Sequence, residues 1–303
     1  MDIAITGASG LIGTSLRTFL TTQGHRVLRV VRGDDRAADA IGWDIHAGTI
    51  DAAGLEGIDA VVHLAGAGIG DKRWSDDRKR EIRESRVKGT ALLAETLTEL
   101  KKPPSVWLSG SAIGYYGDRG SDVLDESEPA GHDFLADVCV QWEAATGPAE
   151  AAGIRVAHLR TGIVLSSAGG ALKKQLPLFK FGIGGPIAGG GQYWSWISID
   201  DTVRAISFLL GAEVAGPVDL TAPEPVTQKE FAKTLGSVLH RPSFLPIPKF
   251  GPALLLGSGL ADALLDTSAR VLPTVLEGAG YHFLHRDVRT ALAAVLDKEA
   301  EIA

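Results

Sequence analysis

The chain contains little cysteine and no long run of hydrophobic residues. Cys139 is the only cysteine among 303 residues, so an internal disulfide is excluded, and the composition fits a reducing, cytoplasmic compartment. The most apolar stretch, residues 254–265, is interrupted by glycines and Asp262 and is too short to span a bilayer. The apolar residues at the N-terminus have only the length of a strand, so no signal peptide is predicted. We therefore expect no membrane partner.

Basic clusters and metal-ligand spacings are also missing. The chain has 30 Lys and Arg residues against 37 Asp and Glu residues, with a net charge of −7. An acidic balance without a basic patch argues against nucleic acid as a partner. The histidines show no metal-ligand spacing, so no metal is predicted. With 45% hydrophobic residues, the chain can build a large core in one elaborated α/β domain or in two closely joined domains.

Glycine, by contrast, is abundant, and its most informative arrangement lies at the start of the chain. An apolar strand over residues 3–5 runs into a glycine-rich turn, and a helical pattern follows. Such a turn lets the backbone approach a pyrophosphate, which the free N–H groups of the helix N-terminus favour. The alternative is a tight turn without a ligand. The residues predicted here to contact a nucleotide are Gly7, Ser9, Gly10, Leu11, Ile12 and Gly13.

The end of the second predicted strand indicates which nucleotide binds. Residues 25–31 form that strand, and Val31 and Arg32 close it. An NAD site usually has Asp or Glu at this position, whereas an arginine suits a 2′-phosphate. The sequence therefore favours NADP(H) over NAD(H). Two alternatives stay open: Arg32 is a solvated loop charge, or Asp34 or Asp35 turns inward and weakens the preference.

The rest of the chain alternates strands with helices, which predicts an α/β fold with a Rossmann-type, doubly wound parallel sheet. A strand over residues 59–66 closes with Leu64, Ala65 and Gly66, and the small residues at its very end let a nucleotide lie against the backbone. Long helices are predicted over residues 76–100 and 134–152. We place the nucleotide-binding domain at residues 1–165 and a smaller α+β cap, partly interleaved with it, at 166–303. Such a cap would enclose a small-molecule substrate.

Together these residues resemble an extended short-chain dehydrogenase/reductase (SDR). More narrowly, they are similar to an atypical branch of that group, the NAD-dependent epimerase/dehydratase-like proteins. The broader resemblance is carried by the glycine loop, residues 59–66, Ser109-Gly110-Ser111-Ala112 and residues 197–201. The closer one is carried by Arg73-Trp74, Ser85-Arg86-Val87, Gly114-Tyr115-Tyr116-Gly117, Trp142-Glu143, residues 160–165, Ser195-Trp196-Ile197 and residues 270–273.

The chain departs from the SDR pattern where the catalytic residues are expected. A typical SDR uses Tyr-x-x-x-Lys, in which the lysine lowers the pKa of the tyrosine for proton transfer. Here Leu135 and Cys139 occupy those two positions. Arg86 replaces the usual helix asparagine, and only the serine position survives, as Ser111. The resemblance therefore implies a nucleotide site more strongly than epimerase chemistry.

Two tyrosines near this serine are candidates to replace the missing acid/base. Tyr115 and Tyr116 follow the strand that faces the nicotinamide in SDRs, and Ser111 would position a carbonyl beside them. The alternative is a packed aromatic pair at a strand end, since no lysine is placed to activate a phenol.

The resemblance also implies further cofactor contacts, each with a structural alternative. Asp44 would contact the adenine or cap a turn. Arg86 would bind the cofactor phosphates or be an exposed helix charge, with Glu81 beside it. Ser109, Arg160 and Val164 complete the implied set.

Several other conspicuous residues favour structural roles. Cys139 is expected in the core and His132 in a surface loop, while Trp194 and Trp196 either line the substrate pocket or pack the cap. Asp200 and Asp201 are expected to cap a helix over residues 202–210.

Two functions from different classes remain. The first is an NADP(H)-dependent oxidoreductase or epimerase-like enzyme that acts on a small carbonyl or sugar-like substrate. The second is a non-catalytic NADP(H)-binding sensor whose conformation a partner would read. The enclosed pocket favours the enzyme, and the missing Tyr-Lys pair favours the sensor. A homodimer is compatible with either.

Overall fold

The computed structural model describes residues 1–33, 37–247 and 267–302, with side chains up to residue 297. Asp34, Asp35 and the apolar stretch 254–265 lie outside these residues. The strands are β1 (Asp2–Thr6), β2 (Arg26–Arg32), β3 (Ala40–Asp44), β4 (Thr49–Ile50), β5 (Ala60–His63), β6 (Val106–Ala112), β7 (Val123–Leu124), β8 (Arg155–Thr161), β9 (Ile163–Leu165), β10 (Tyr193–Trp194), β11 (Trp196–Ser198), β12 (Gly216–Leu220), β13 (Val226–Thr227) and β14 (Arg270–Val271).

Helices join most of these strands. They are α1 (Leu11–Thr22), α2 (Ala52–Leu55), α3 (Asp76–Glu99), α4 (Phe134–Ala144), α5 (Gly147–Ala151), α6 (Gly170–Lys180), α7 (Ile199–Gly211), α8 (Gln228–Val238), α9 (Thr274–Gly278) and α10 (Val288–Ile302), with a 3₁₀ turn at Ile113–Tyr116. No helix in these described ranges combines the length and apolar character that crossing a membrane requires.

The main sheet has eight strands in the order β12-β8-β6-β5-β1-β2-β3-β4. All neighbours are parallel except β3 and β4. This confirms the predicted doubly wound α/β fold. Chain order reverses between β1 and β5, so the connections from these two strands leave in opposite directions. A crevice for ligands opens at such a reversal, beyond the carboxyl ends of the strands.

The two faces of the sheet bury separate hydrophobic clusters. Ile3 and Ile5 of β1 face a cluster that includes α1 and α7 residues, whereas Ala4 faces a cluster that includes α3 residues. Parallel strands covered on both faces need apolar residues at every position, which explains the unbroken apolar runs in the sequence.

The second half of the chain partly rejoins this sheet. β12 pairs with β8, and α7 residues pack in the same cluster as β1. A further cluster joins α6, α8 and α10 and contains Trp194 and Trp196, which are 5% and 0% exposed. Of the two predicted roles, these tryptophans therefore have the packing one.

Three local predictions need adjustment. The helix predicted over 134–152 is two helices, α4 and α5, separated at Thr146, with Pro148 in the first turn of α5. The helix predicted over 202–210 begins at Ile199, and its N-cap is Ser198, whose hydroxyl accepts the Asp201 N–H. Asp200 and Asp201 are therefore not the cap but lie in the first turn of the helix, and the Asp201 carboxylate accepts hydrogen bonds from the C-terminal segment.

Candidate functional site

The glycine loop joins β1 to α1 at the reversal point of the sheet. Gly10 is the N-cap of α1, no side chain caps this helix, and its first turn contains no acidic residue. The first N–H groups of α1 are thus available to an anion. Gly7 has φ +66°, and a Cβ there would lie 2.8 Å from the Leu64 backbone. Only glycine allows β1 and β5 to approach this closely.

Gly13 packs directly beneath the loop. A Cβ on Gly13 would lie 2.2 Å from the Gly7 carbonyl oxygen, so its absence lets α1 sit against the turn. Leu11, Ile12 and Gly13 form the first turn of α1 but do not line the cleft described below. Their predicted contact with a nucleotide stays a prediction, and what these three positions would offer it is the backbone N–H groups of the helix start.

A buried histidine ties the ends of β1 and β5 together. The Thr6 hydroxyl oxygen accepts the N–H groups of Leu64 and Ala65, each at 3.1 Å, so its proton faces His63 Nδ1 at 2.7 Å. His63 Nε2 then donates to the Thr90 hydroxyl of α3 at 3.0 Å, a tautomer inferred from the network. Burial, with the charge of Arg86, lowers the pKa of His63 to about 3, so this ring is neutral.

A cleft of about 970 Å³ opens above these strand ends. Its walls come from the glycine loop, the end of β2, the β3–β4 turn, the segment after β5 and one face of α3. The predicted cofactor residues that line it are Gly7, Ser9, Gly10, Val31, Arg32, Asp44, Leu64, Ala65, Gly66 and Glu81. The predicted residues that do not line it are Leu11, Ile12, Gly13, Arg86, Ser109, Arg160 and Val164.

Asp44 has the turn-capping role considered for it, and it also lines the cleft. Its Oδ1 accepts the N–H groups of His46 at 2.8 Å and Ala47 at 3.0 Å, and the hydrogen bonds from Ala47 and His46 lower the pKa of Asp44. It therefore caps the β3–β4 turn and at the same time presents a carboxylate to the cleft.

The structure contradicts one interpretation of Arg86, an exposed helix charge, and its side chain is not among the residues that line the cleft. This side chain is 9% exposed, and its Nη1 donates to the Ala67 carbonyl at 3.0 Å and the Ile82 carbonyl at 3.1 Å. Its guanidinium lies 5.1 Å from the Trp142 ring centre. Arg86 is thus neither an exposed charge nor a cleft residue, and it supports the segment after β5 from below.

The α3 residues that do line the cleft were mostly missed. Arg78, Glu81, Ser85 and Lys88 share one face of α3 and reach the cleft, whereas Ile82, Arg86, Gly89 and Leu93 share the buried face. Arg78 pairs with Glu81 at 2.6 Å, and this hydrogen bond lowers the pKa of Glu81. Helical spacing in the sequence could have separated these two faces.

Arg160 and Ser109 are core residues. Arg160 forms a two-pronged ion pair with Glu143, with Nε–Oε1 and Nη2–Oε2 both at 2.9 Å. Burial alone would lower the pKa of Arg160, but the hydrogen bonds and charge of Glu143 raise it above its usual value. Ser109 is 0% exposed, and Val164 pairs with Ile197 between β9 and β11. None of these three residues lines the cleft, and their predicted contacts with the cofactor stay predictions.

The three predicted catalytic residues surround Arg160 rather than the cleft. The Ser111 hydroxyl donates to Glu143 Oε1 at 2.6 Å, so in this arrangement its proton points inward. Tyr116 is 0% exposed; its hydroxyl donates to Asp219 at 2.8 Å and accepts from Arg160 at 3.1 Å. Burial and the charge of Asp219 raise the pKa of Tyr116. Tyr116 is therefore corrected from a catalytic candidate to a core residue.

Tyr115 remains the accessible phenol of the pair. It is half-buried, its ring packs at right angles to Tyr116 with centres 5.3 Å apart, and the Arg160 guanidinium lies 3.4 Å from its ring centre. The packed aromatic pair considered as the alternative is thus present, with one member still half-exposed.

The remaining candidates have the structural roles expected for them. Cys139 is buried, and burial together with the Glu143 charge raises the pKa of its thiol to about 12, which leaves it unreactive. His132 is exposed in a loop. Within the described ranges, no group of His, Cys, Asp and Glu side chains is placed to hold a metal ion.

Comparison with known proteins agrees with this architecture. The model of the NAD dependent epimerase/dehydratase family matches residues 3–220, and a domain of unknown function, DUF1731, matches residues 247–295. Epimerase family protein Mb2239 of Mycobacterium bovis is 40% identical over 291 residues, 96% of each chain. Epimerase family protein SDR39U1 of Homo sapiens is 34% identical over 303 residues, covering 98% of this chain and 100% of the human protein.

A solved structure extends the agreement to three dimensions. The crystal structure of human SDR39U1 (isoform 2) with NADPH has a TM-score of 0.89 and 32% identity, covering 98% of this chain and 99% of that chain. The length matched by the family model and the identity to these relatives confirm the resemblance drawn from the sequence. The chain belongs to the NAD-dependent epimerase/dehydratase family.

Proposed function

We propose that this chain binds NADP(H) in the cleft above β1 and β5 and uses it as an oxidoreductase or epimerase-like enzyme on a small carbonyl or sugar-like substrate. The observation that carries the proposal is the uncapped start of α1 behind a glycine turn with no room for a Cβ at Gly7 or Gly13. That combination suits a pyrophosphate. The human relative SDR39U1 has been crystallised with NADPH.

The cleft residues suit each part of the adenosine half of NADP(H). The α1 N–H groups and Ser9 would hold the pyrophosphate, Asp44 would meet the adenosine, and Arg32 would meet a 2′-phosphate. Arg32 is exposed at the end of β2, where a carboxylate would favour NAD(H) instead. A bound nicotinamide would supply the hydride exchange.

Two candidate functions differ in whether a substrate is converted. Tyr115 is the half-exposed phenol near the end of β6 and is our candidate proton donor or acceptor, whereas Ser111 is engaged with Glu143. A non-catalytic NADP(H) sensor is the second candidate, favoured by one observation: Leu135 and the unreactive Cys139 stand where the Tyr-Lys pair of typical SDRs is expected.

Binding and turnover are tested separately. Binding of NADPH and NADH is titrated by nicotinamide fluorescence for the wild type and for Arg32→Ala. We expect NADPH to bind more tightly, and Arg32→Ala to weaken NADPH about tenfold or more with little change for NADH. An equal loss for both nucleotides would contradict the 2′-phosphate assignment, and no binding of either would contradict the proposed function.

Turnover is then measured with [4-³H]NADPH and NADP⁺ against carbonyls, alcohols and sugar nucleotides. Label transfer that Tyr115→Phe abolishes would support the enzyme and the role of Tyr115. Transfer that Tyr115→Phe leaves unchanged would remove that tyrosine. Tight NADPH binding without any transfer would favour the sensor.

A further inference from the structure

Among the arginines that line the cleft, three come from α1 and the following strand, β2. Arg29 and Arg32 belong to β2, and Arg17 belongs to α1; all three line the cleft. Arg17 is half-buried and lies four residues after Gly13 and seven after Gly10, so it shares the helix face that begins at the glycine loop. The sequence motif for nucleotide binding does not include this position.

In the described part of the chain, only one of these arginines forms an ion pair with an acidic side chain. Arg29 holds the Asp39 carboxylate with two contacts, Nε–Oδ2 and Nη2–Oδ1, both at 2.6 Å. Among the described residues, Arg17 and Arg32 make no side-chain hydrogen bond or ion pair. The charge of Arg17 nevertheless reaches this pair, because after the Arg29 hydrogen bond it also contributes to the lowered pKa of Asp39.

Two of these guanidinium groups keep their donors for a ligand. Among the described residues, Asp39 engages Arg29, whereas the acids Asp44 and Glu81, which also line the cleft, form no ion pair with Arg17 or Arg32. A phosphate monoester carries a charge of about −1.5 to −2 at pH 7. Guanidinium groups suit such an oxyanion because their N–H donors form a planar fork. Two such groups without an acid partner in the described part of the chain thus suit a phosphomonoester better than a pair of ribose hydroxyls.

We infer that Arg17 is a second determinant of NADP(H) specificity, binding the 2′-phosphate together with Arg32 while Asp39 holds Arg29 aside. This inference rests on the proposed function, since it assigns a residue to the same nucleotide site. Besides the phosphate site at its N-terminus, α1 would then contribute the Arg17 side chain, about two turns further along, to recognition of the 2′-phosphate.

The test uses two pairs of probes that differ by a single phosphate: NADPH with NADH, and adenosine 2′,5′-bisphosphate with adenosine 5′-monophosphate. Affinities are measured by calorimetry for the wild type, Arg17→Ala and Arg17→Lys. We expect Arg17→Ala to weaken the 2′-phosphorylated member of each pair about tenfold or more, with the other member within about twofold. Arg17→Lys keeps the charge but loses the planar fork of donors, so its affinity for the 2′-phosphorylated probes should lie between those of the wild type and Arg17→Ala.

Arg26→Ala is the matched control. Arg26 also lies on β2, but it is exposed, pairs with Asp2 at 2.7 Å and does not line the cleft, so its removal should leave all four affinities unchanged. An unchanged NADPH-to-NADH preference in Arg17→Ala would overturn the inference, and so would an equal loss of both nucleotides. Failure of the wild type to bind NADPH would instead contradict the proposed function.

Discussion

At the scale of single residues, the cleft depends on a histidine that no ligand needs to touch. His63 is 0% exposed and bridges Thr6 of β1 and Thr90 of α3. Because Thr6 also accepts the N–H groups of Leu64 and Ala65, this one ring fixes the backbone that faces the glycine loop. The bridge requires the neutral imidazole, since Nδ1 acts as an acceptor.

The neutral state of His63 predicts a loss of stability in acid. Its pKa falls from 6.5 to about 3 on folding, so the unfolded chain binds the proton more tightly. The stabilisation is fully present above pH 6.5 and is lost as pH falls from there towards pH 3. We expect the free energy of unfolding to drop by about 2 kcal/mol between pH 7 and pH 5 from this group alone.

Urea unfolding at both pH values measures the effect. In His63→Asn the protein should be less stable at pH 7, but its stability should change less between the two pH values. His132→Asn, which alters an exposed histidine, should keep the wild-type difference. If His63→Asn keeps it as well, the acid sensitivity comes from other groups.

At the scale of elements, the contact between α1 and β1 sets the shape of the phosphate site. Gly13→Ala would place a Cβ 2.2 Å from the Gly7 carbonyl oxygen, and backbone on both sides leaves no flexible side chain to yield. α1 would have to move away from the loop. We expect a destabilisation of about 1–3 kcal/mol or more and at least a tenfold loss of NADPH affinity, measured by urea unfolding and nucleotide fluorescence.

Gly147→Ala is the control that distinguishes steric crowding from the general effect of replacing glycine with alanine. A Cβ on Gly147, in α5, meets nothing within 4 Å, so alanine there should leave NADPH affinity unchanged and leave stability unchanged or slightly raised. Unaltered NADPH binding by Gly13→Ala would mean that the helix start does not need its observed position.

At the scale of the whole molecule, one buried carboxylate contributes to the attachment of the C-terminal segment to the nucleotide-binding sheet. Asp201 of α7 is 0% exposed and accepts the Tyr281 hydroxyl at 2.9 Å and the N–H groups of Leu284 at 2.8 Å and His285 at 3.0 Å. α7 packs in the β1 cluster, so this carboxylate couples the two halves of the chain.

We predict that Asp201→Asn loosens the C-terminal segment. An amide nitrogen cannot accept the hydrogen bonds that one carboxylate oxygen accepts, so about 3 kcal/mol of stability should be lost. Hydrogen exchange should increase across residues 281–297. Asp137→Asn, at an exposed ion pair with Arg83, should change neither quantity. Unchanged exchange in Asp201→Asn would show that hydrophobic packing alone holds the segment.

Helix phase and burial explain which of the predicted residues line the cleft. The glycine loop, Val31, Arg32, Asp44 and the segment 64–66 line it, because each lies near a strand end or on a loop that local pattern reveals, and Glu81 lines it from the exposed side of α3. Arg86 does not line the cleft, because it lies on the buried face of α3, next to the face that reaches the cleft. The burial of Arg160 and Tyr116 could not be predicted locally, because their partners, Glu143 and Asp219, are distant in sequence.

The α/β class, the strand–glycine–helix start and the absence of the Tyr-Lys pair can be read from the chain alone, because these are properties of neighbouring residues and of local periodicity. Which charged groups meet follows from the fold instead. Ser111 turns towards Glu143, Tyr116 is buried beside Asp219, and Arg17 of α1 lines the same cleft as the end of β2. Such encounters depend on how helices pack on the sheet, which no local pattern encodes.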